Sequence, residues 1–206
     1  VDSVLSELGE VPLPPYFRGT LDDDERYQTM FARAVGSAAA PTAALHFTPR
    51  IVEAFRARDV RIADVELEVG LDTFRPMDDG PISDHEMHEE RYTVPAATAE
   101  AIAETKMRGS RIVAVGTTVV RTLETAAGSD GRVETGSGST DLFITPGFRT
   151  QVVDAVVTNF HAPGTTLIVM IAALLGPTWR EVYAHALESG YRFLSFGDAM
   201  FIEIDQ

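Results

Sequence analysis

Short apolar runs alternate with helix-forming segments along this chain, and this alternation constrains the fold more than any other feature. The predicted strands cover residues 61–69, 92–94, 112–115, 142–144, 152–157 and 199–204. The helices are predicted to begin near Pro49, Pro95, Thr117, Thr165 and Pro177. Strands that alternate with helices predict an α/β fold, with a mostly parallel sheet or a distorted α/β barrel and flanking helices.

Three segments set the predicted organisation around this domain. The proline-rich segment 9–16 favours extended backbone, so residues 1–20 are predicted to be a connector and residues 21–206 an α/β catalytic-type domain. The acidic run 22–25 favours a helix N-terminus. Residues 128–140, rich in glycine, serine and aspartate, predict a mobile surface loop.

The composition excludes several classes of function. The chain has no cysteine, so it holds neither disulfides nor thiolate metal sites, which fits a reducing cytoplasm. No apolar run reaches about 18 residues, so we expect no membrane span and no membrane partner. A net charge of −14 disfavours extensive contact with nucleic-acid phosphates. Motifs for Walker-type phosphoryl transfer, dinucleotide binding and serine hydrolysis are absent from the sequence.

The turn Val115-Gly116-Thr117-Thr118 is the clearest candidate binding site. Ligands in α/β folds bind at the carboxyl ends of strands, and Gly116 allows close approach to the backbone. Thr117 and Thr118 add hydroxyls at a helix N-terminus, which favours anions. Arg121 is predicted to share their helix face and to supply a cation. The alternative is a threonine cap with a surface Arg121–Glu124 ion pair.

A second turn of the same kind spans residues 159–166. Asn159 and His161 follow a predicted strand, and Thr165 and Thr166 open the next helix. A histidine titrates near neutral pH, so His161 is a candidate for proton transfer. The alternative is that His161 only covers the sheet edge. Two matching turns predict one shared cleft.

Two further segments carry titratable groups. Residues 84–90 contain His85 and His88, which are three positions apart rather than the four that a helical zinc site requires, so we predict no bound metal. One of these groups is a candidate general acid or base, and a solvated acidic loop is the alternative. Asp198, in a turn between two apolar runs, is predicted either to hold that turn or to accept ligand hydroxyls.

Taken together, several strings resemble the S-adenosylmethionine:tRNA ribosyltransferase-isomerase family of queuosine biosynthesis. They follow one another in order along nearly the whole chain. The strings are Glu10-Val11-Pro12-Leu13-Pro14-Pro15-Tyr16, Arg26-Tyr27-Gln28-Thr29, Leu45-His46-Phe47, Asp84-His85, Ala114-Val115-Gly116-Thr117-Thr118, Pro146-Gly147-Phe148, Thr158-Asn159-Phe160-His161 and Gly197-Asp198-Ala199-Met200.

The resemblance implies a cytoplasmic enzyme that moves the ribosyl group of S-adenosylmethionine onto 7-aminomethyl-7-deazaguanine in tRNA, giving epoxyqueuosine, adenine and methionine. It implies S-adenosylmethionine as co-substrate, and the prediction of no metal rests on the histidine spacing and the lack of cysteine given above. The residue types found above fit these needs: His46, His85, His88, His161 and Asp198 for catalysis, and Gly116, Thr117, Thr118, Arg121, Asn159, Thr165 and Thr166 for substrate binding. The family's small β-barrel domain lies outside this chain, and tRNA is expected to bind mainly through that N-terminal part.

Some positions depart from the family pattern. Glu68 stands where the family commonly has histidine, and Leu71-Asp72 replace a small Ala-Gly pair. Added bulk and negative charge would crowd a substrate and repel phosphate. Two alternatives therefore stay open: an enzyme of the same fold that uses S-adenosylmethionine on a small-molecule acceptor, and a catalytically incomplete binding domain.

Overall fold

Two three-stranded sheets organise the protein. The computed structural model describes residues 12–19, 21, 23–33 and 36–204. In the first sheet, β1 (Glu66–Glu68), β2 (Glu90–Val94) and β4 (Gly136–Thr140) pair antiparallel in the order β1-β2-β4. In the second, β3 (Val113–Val115), β5 (Ala155–Asn159) and β6 (Ala199–Glu203) pair in the order β3-β5-β6.

Five α-helices surround these sheets within the described residues. They are α1 (Pro49–Arg56), α2 (Ala96–Met107), α3 (Thr117–Thr125), α4 (Thr166–Leu175) and α5 (Trp179–Glu188). Short 3-10 helices cover Asp24–Tyr27, Thr42–His46, Leu71–Phe74, Ile82–Asp84 and Gly176–Thr178. The start predicted for α1 is confirmed, because Thr48 Oγ1 accepts a hydrogen bond from Ile51 N and Pro49 is the first helical residue.

The mixed α/β class is confirmed, but the expectation of a mostly parallel sheet is wrong for the described residues. Only β3 and β5 pair parallel; the other three strand pairs are antiparallel. The predicted loop at residues 128–140 contributes to this difference, since its last part forms β4. Gly138 lies under the ring of Tyr92 on β2, and a Cβ there would stand 2.8 Å from the Tyr92 hydroxyl. Gly138 therefore serves close packing between the strands rather than loop mobility.

The core joins the two sheets to three helices. Its main cluster includes Val94 of β2, Ile102 of α2, Val120 of α3, Val156 of β5 and Met170 of α4, all buried. Side chains that come from both sheets and from distant parts of the chain bury one continuous apolar surface. The residues 142–144, predicted as a strand, instead form an irregular segment.

The connector predicted at residues 1–20 is described only in part, because residues 1–11 and 20 lie outside the described residues. Its described part makes a turn in which Phe17 N donates to Pro14 O, at 2.9 Å. The Phe17 ring then packs against Phe196, with 5.3 Å between the ring centroids. The boundary at residue 20 stays a prediction. Asp22 lies outside the described residues, and Asp23 caps the short 3-10 helix Asp24–Tyr27, which begins within the acidic run.

One apolar helical stretch, Thr166–Glu188, is long and hydrophobic enough to cross a membrane by length and composition alone. A core helix of a globular domain meets the same criterion. In this stretch Val169, Met170 and Ile171 are buried in the core. Gly176, with φ of 57°, also interrupts the helical backbone between α4 and α5. The stretch is therefore two packed helices, and it is weak evidence for a membrane span.

Candidate functional site

A cleft opens where the parallel strands β3 and β5 end. Val115 pairs with Val157, and Gly116 N donates to Val157 O at 2.9 Å. This pairing brings the two turns predicted from the sequence to the same edge of the sheet. Its wall includes several polar residues, among them Thr42, Thr117, Thr118, Thr158, Asn159 and His161.

The N-terminus of α3 faces this cleft without a side-chain cap. Gly116 is the N-cap residue, and its φ of 101° with ψ of 149° lies outside the regions open to other residues. Thr117 and Thr118 line the cleft, and neither hydroxyl hydrogen-bonds to another described residue. The helix therefore presents free backbone N–H groups, two hydroxyls and the positive end of its dipole to a ligand.

The N-terminus of α4 is arranged differently. Thr165 is the N-cap, and its Oγ1 accepts from Ile168 N at 3.4 Å and donates to Ala162 O at 2.8 Å. Thr165 lines the cleft, but its hydroxyl is already engaged. Thr166 is buried and does not line the cleft. Of this predicted threonine pair, one residue caps the helix and the other packs inside.

Arg121 lies elsewhere than its helix spacing suggested, because its side chain is buried on the far side of α3. Its Nη1 donates to Glu90 Oε2 at 2.5 Å, and its Nε and Nη2 donate to the carbonyls of Leu142, Thr140 and His88. Burial lowers the pKa of Arg121, and the adjacent Glu90 opposes that shift. All the nitrogens of the guanidinium are thus engaged by Glu90 and by backbone carbonyls, and the group supplies no positive charge to the cleft.

The alternative of a surface Arg121–Glu124 pair is wrong as well. Glu124 is buried, and its carboxylate accepts from the backbone N–H groups of Gln151, Val152 and Val153 at 2.7, 3.1 and 2.9 Å. These three bonds fix the segment that leads into β5. Both charged residues of α3 therefore hold structure beneath the cleft.

His161 lies on the cleft wall. Its Nε2 is 2.9 Å from Thr158 Oγ1, and its backbone N donates to the Tyr183 hydroxyl at 3.0 Å. Burial of the ring lowers the pKa of His161 to about 4, although the residue as a whole keeps some exposure. The imidazole is therefore neutral at physiological pH and has one nitrogen able to accept a proton.

His46 joins the same site through Asn159. Asn159 Oδ1 accepts from Thr42 Oγ1 at 3.1 Å, and its Nδ2 donates to His46 Nε2 at 3.0 Å. With the amide in this orientation, His46 accepts at Nε2 and carries its proton at Nδ1. Burial lowers the pKa of His46, while Asp198 raises it. The chain Thr42–Asn159–His46 is thus a hydrogen-bonded line from the cleft to a second histidine.

Asp198 lies near His46 but does not line the cleft. Its carboxylate accepts from Arg192 N at 2.7 Å and from Arg192 Nη2 at 3.1 Å. These hydrogen bonds hold the pKa of Asp198 below its usual value. Of the two predicted roles, the structure shows the one in which Asp198 holds its turn.

The two histidines of residues 84–90 lie outside the cleft. The His85 ring packs edge-on against Phe143, with 5.4 Å between centroids, and His88 Nε2 is 3.5 Å from Glu90 Oε1. In the part of the chain that the structure describes, no group of three or more His, Asp or Glu side chains converges to hold a metal. That no metal takes part stays a prediction.

Tyr16 and Ser195 belong to the site although sequence reasoning did not assign them to it. Both line the cleft, the hydroxyls of the two side chains hydrogen-bond, and the Tyr16 hydroxyl also accepts from Ser195 N at 3.3 Å. They are 179 positions apart, so no local pattern joins them. The only signal was the presence of Tyr16 in one of the strings that resemble the family; Ser195 lies in none of them.

A cleft at the carboxyl ends of adjacent parallel strands, with an uncapped helix N-terminus at its edge, is the arrangement in which α/β proteins typically bind small ligands. Residues 1–202 match the family model described as queuosine biosynthesis protein. The chain belongs to that family.

Curated relatives and a solved structure agree with this assignment. An S-adenosylmethionine:tRNA ribosyltransferase-isomerase from Natranaerobius thermophilus is 52% identical over 97% of this chain, and one from Moorella thermoacetica is 51% identical over 98%. A crystal structure of an S-adenosylmethionine tRNA ribosyltransferase from Thermotoga maritima is 45% identical, with a TM-score of 0.63 over 78% of this chain and 51% of its own. The chain spans 59% of the length of these two curated relatives.

Proposed function

We propose that this chain carries the S-adenosylmethionine site of a tRNA ribosyltransferase-isomerase. In this reaction the ribosyl group of S-adenosylmethionine passes to the aminomethyl nitrogen of 7-aminomethyl-7-deazaguanine in tRNA. Epoxyqueuosine forms, and adenine and methionine leave. The family membership and the names of relatives about half identical to this chain support the proposal.

The observation that carries the proposal is the free N-terminus of α3 at the cleft. The donor has a methionine carboxylate, and a helix N-terminus stabilises an anion through its N–H groups and dipole. Thr117 and Thr118 have uncommitted hydroxyls beside it. We assign the donor carboxylate to this turn without help from Arg121, whose guanidinium is held by Glu90 and three carbonyls.

Proton transfer in the proposed reaction is assigned to the histidines near this turn. A base must remove a proton from the carbon beside the sulfonium, and an acid must assist departure of adenine. His161 lies on the wall of the cleft and is neutral, so it is the proposed acceptor. A pKa of about 4 makes it a weak base, and a sulfonium beside the reacting carbon lowers the demand on base strength. His46, oriented by Asn159, is proposed to serve the second proton transfer.

The acceptor assignment is opposed by one observation. Leu67 and Val69 line the cleft, whereas Glu68 between them is exposed, and Asp72 and Leu71 are exposed nearby in the chain. Negative charge on the chain segment that lines the cleft disfavours a phosphate backbone nearby. It favours the second candidate function, transfer to a small-molecule acceptor, and the experiment below separates the two.

Three finer expectations belong to the same proposal. The two sheets are proposed to be parts of one distorted barrel in the longer protein. The protein is proposed to act in the cytoplasm. Most tRNA contacts are proposed to come from the part of the relatives' length that this chain does not span.

The test uses this chain and the same chain extended to the length of its relatives. Each is incubated with S-adenosylmethionine and tRNA that carries 7-aminomethyl-7-deazaguanine, and adenine and methionine are measured. We expect both products in equal amounts from the extended protein, dependent on the modified tRNA. Products that form with the free modified base but not with tRNA would establish the small-molecule alternative. Failure to form either product, with S-adenosylmethionine bound, would indicate an incomplete binding domain.

A double substitution checks the binding turn. Thr117→Val with Thr118→Val removes two hydroxyls, and we expect S-adenosylmethionine affinity to fall by about tenfold, since each hydrogen bond contributes roughly 0.5–1.5 kcal/mol. Calorimetry measures this directly. Thr178→Val is the matched control, because Thr178 is exposed at the start of α5 and makes no side-chain capping bond. Unchanged affinity in the double variant would remove this turn from the donor site.

A further inference from the structure

Positive charge is concentrated in one segment of this acidic protein. Residues 26–61 contain six arginines and two carboxylates, a net charge of +4, although the whole chain has −14. The overall charge therefore does not describe every surface of the molecule. A local excess of arginine attracts phosphate even on an acidic protein, because screening limits the reach of distant charges to about 8–10 Å.

Three arginines of this segment that have no acidic partner among the described residues lie on helix α1 or just after it. Arg50, Arg56 and Arg58 are all exposed, and none forms an ion pair with a described residue. Arg58 follows the end of α1, and its Nη1 donates to Ala54 O on that helix, at 3.1 Å. By contrast, Arg33 and Arg61 are paired with Asp64 and Glu104. The three arginines on and just after α1 thus keep their charge available.

Three phenylalanine rings lie in a row, and two of them, Phe47 and Phe55, are close along the chain to these arginines. The rings of Phe31 and Phe47 are 6.2 Å apart and those of Phe47 and Phe55 are 5.9 Å apart, each pair edge-on. All three residues are only half-buried. Partly exposed rings next to arginines are the combination that binds single-stranded nucleic acid, since bases stack on the rings and cations contact the backbone.

This surface adjoins the cleft. His46, bonded to Asn159, ends the 3-10 helix that supplies Thr42 to the cleft wall. Phe47 is the next residue, and α1 begins at Pro49. Three residues of chain span at most about 10 Å, so the first turn of α1 lies within about 10 Å of His46, which is hydrogen-bonded to Asn159 on the cleft wall.

We propose that Arg50, Arg56 and Arg58, together with the rings of Phe47 and Phe55, form an RNA-binding surface. It holds the unpaired nucleotides that flank the tRNA base entering the cleft. The arginines neutralise their phosphates and the rings stack on their bases. The proposal rests on tRNA as the acceptor, and it places part of the RNA contact on this chain rather than all of it on the portion outside.

The test measures binding of a labelled RNA hairpin with a single-stranded loop, by fluorescence anisotropy across a salt series. Arg50, Arg56 and Arg58 are replaced together by glutamine. We expect affinity at low salt to fall by at least tenfold, and the slope of log K against log salt to become less steep by about 2. Each single-strand phosphate contact contributes about 0.7 to that slope.

A matched triple variant controls for net charge. Arg91, Arg132 and Arg149 are likewise exposed and have no ion pair with a described residue, so their replacement by glutamine removes the same charge elsewhere. We expect that control to retain the wild-type slope. Equal losses in the two triple variants would show general electrostatic attraction and would overturn the proposal.

The aromatic part is tested by Phe47→Leu, which keeps apolar bulk and removes the stacking face. We expect about fivefold weaker binding of the hairpin and no change for a fully paired duplex, whose bases are not free to stack. Equal effects on hairpin and duplex would overturn a role in stacking. An acidic peptide that binds as tightly as the hairpin, with the same loss in the arginine variant, would show that the surface serves a protein partner instead.

The failure of this inference is distinguishable from failure of the proposed function. Adenine release by the extended protein reports on the function. If adenine release is normal while the arginine variant binds RNA as tightly as wild type, the proposed RNA-binding surface is wrong and the proposed function is retained. If the hairpin binds at this surface but no adenine forms, the surface stands and the function is wrong.

Discussion

The same tripeptide, Gly-Thr-Thr, lies at the start of two helices of this protein, but the helix N-cap falls on a different residue of the tripeptide in each. At residues 116–118 the glycine is the N-cap, the helix begins at Thr117, and both hydroxyls stay free at the cleft. At residues 164–166 the first threonine is the N-cap, the helix begins at Thr166, and the capping hydroxyl is consumed. A shift of one residue in where the helix starts separates the turn that we propose to bind the donor from a turn that only caps its helix.

The bodies of the two helices differ in a related way. Counted from the first helical residue, Arg121 of α3 and Met170 of α4 occupy the same position, and both are buried. Arg121 is held by Glu90 and by backbone carbonyls, whereas Met170 packs in the apolar core. The helix with the free N-terminus is thus anchored by buried charge, and the capped helix by apolar contact.

The largest expected effect comes from removing that buried charge. Arg121→Met leaves the Glu90 carboxylate buried without its cation, and we expect the free energy of unfolding to fall by about 3–5 kcal/mol. Urea unfolding measures it. The double variant with Glu90→Leu should recover much of the loss, because no charge is then left unpaired. A single variant of near wild-type stability but weakened S-adenosylmethionine binding would restore Arg121 to the ligand site.

The second effect concerns His161, which has no titratable counterpart at the first turn. Its pKa is about 4 in the folded protein and about 6.5 when unfolded. Between these values the unfolded chain holds the extra proton, so stability rises with pH and is lost as pH falls from about 6.5 to 4. The loss attributable to this residue is about 3 kcal/mol.

The free energy of unfolding in urea is measured for wild type and for His161→Gln, at pH 7 and at pH 4.5. Differences between the two proteins isolate His161 from other titrating groups, and the wild type should lose more stability on acidification. His185→Gln, at an exposed position on α5, is the control and should follow wild type. Parallel pH profiles for wild type and His161→Gln would show that the ring is not held neutral by burial.

The smallest effect tests the two turns directly. Thr165→Val removes the cap of α4, and we expect stability to fall by about 1 kcal/mol with little change in S-adenosylmethionine affinity. Thr118→Val removes a free hydroxyl, so it should leave stability within about 0.5 kcal/mol and weaken binding roughly two- to tenfold. Thermal unfolding and calorimetry together measure both. If the two substitutions change stability and S-adenosylmethionine affinity by the same amounts, the proposed difference between the two turns is wrong.

Much of this architecture follows from local sequence. Thr48-Pro49 fixed the start of α1, and the strand-ending turns located the edge where the cleft lies. These features depend on backbone geometry over a few residues, on capping and on the alternation of apolar positions, and the chain carries that information locally.

Tertiary structure decided the rest. Helical spacing placed Arg121 next to the threonines, but Glu90, 31 positions away, draws the guanidinium into the interior. A glycine-rich stretch became β4 because Tyr92 needs an open surface to lie on. Tyr16 lies at the cleft, where its hydroxyl hydrogen-bonds to Ser195, which is 179 positions further along the chain. Burial of charge, strand partners and distant contacts depend on what the fold brings opposite each residue, and no local pattern of residues contains that information.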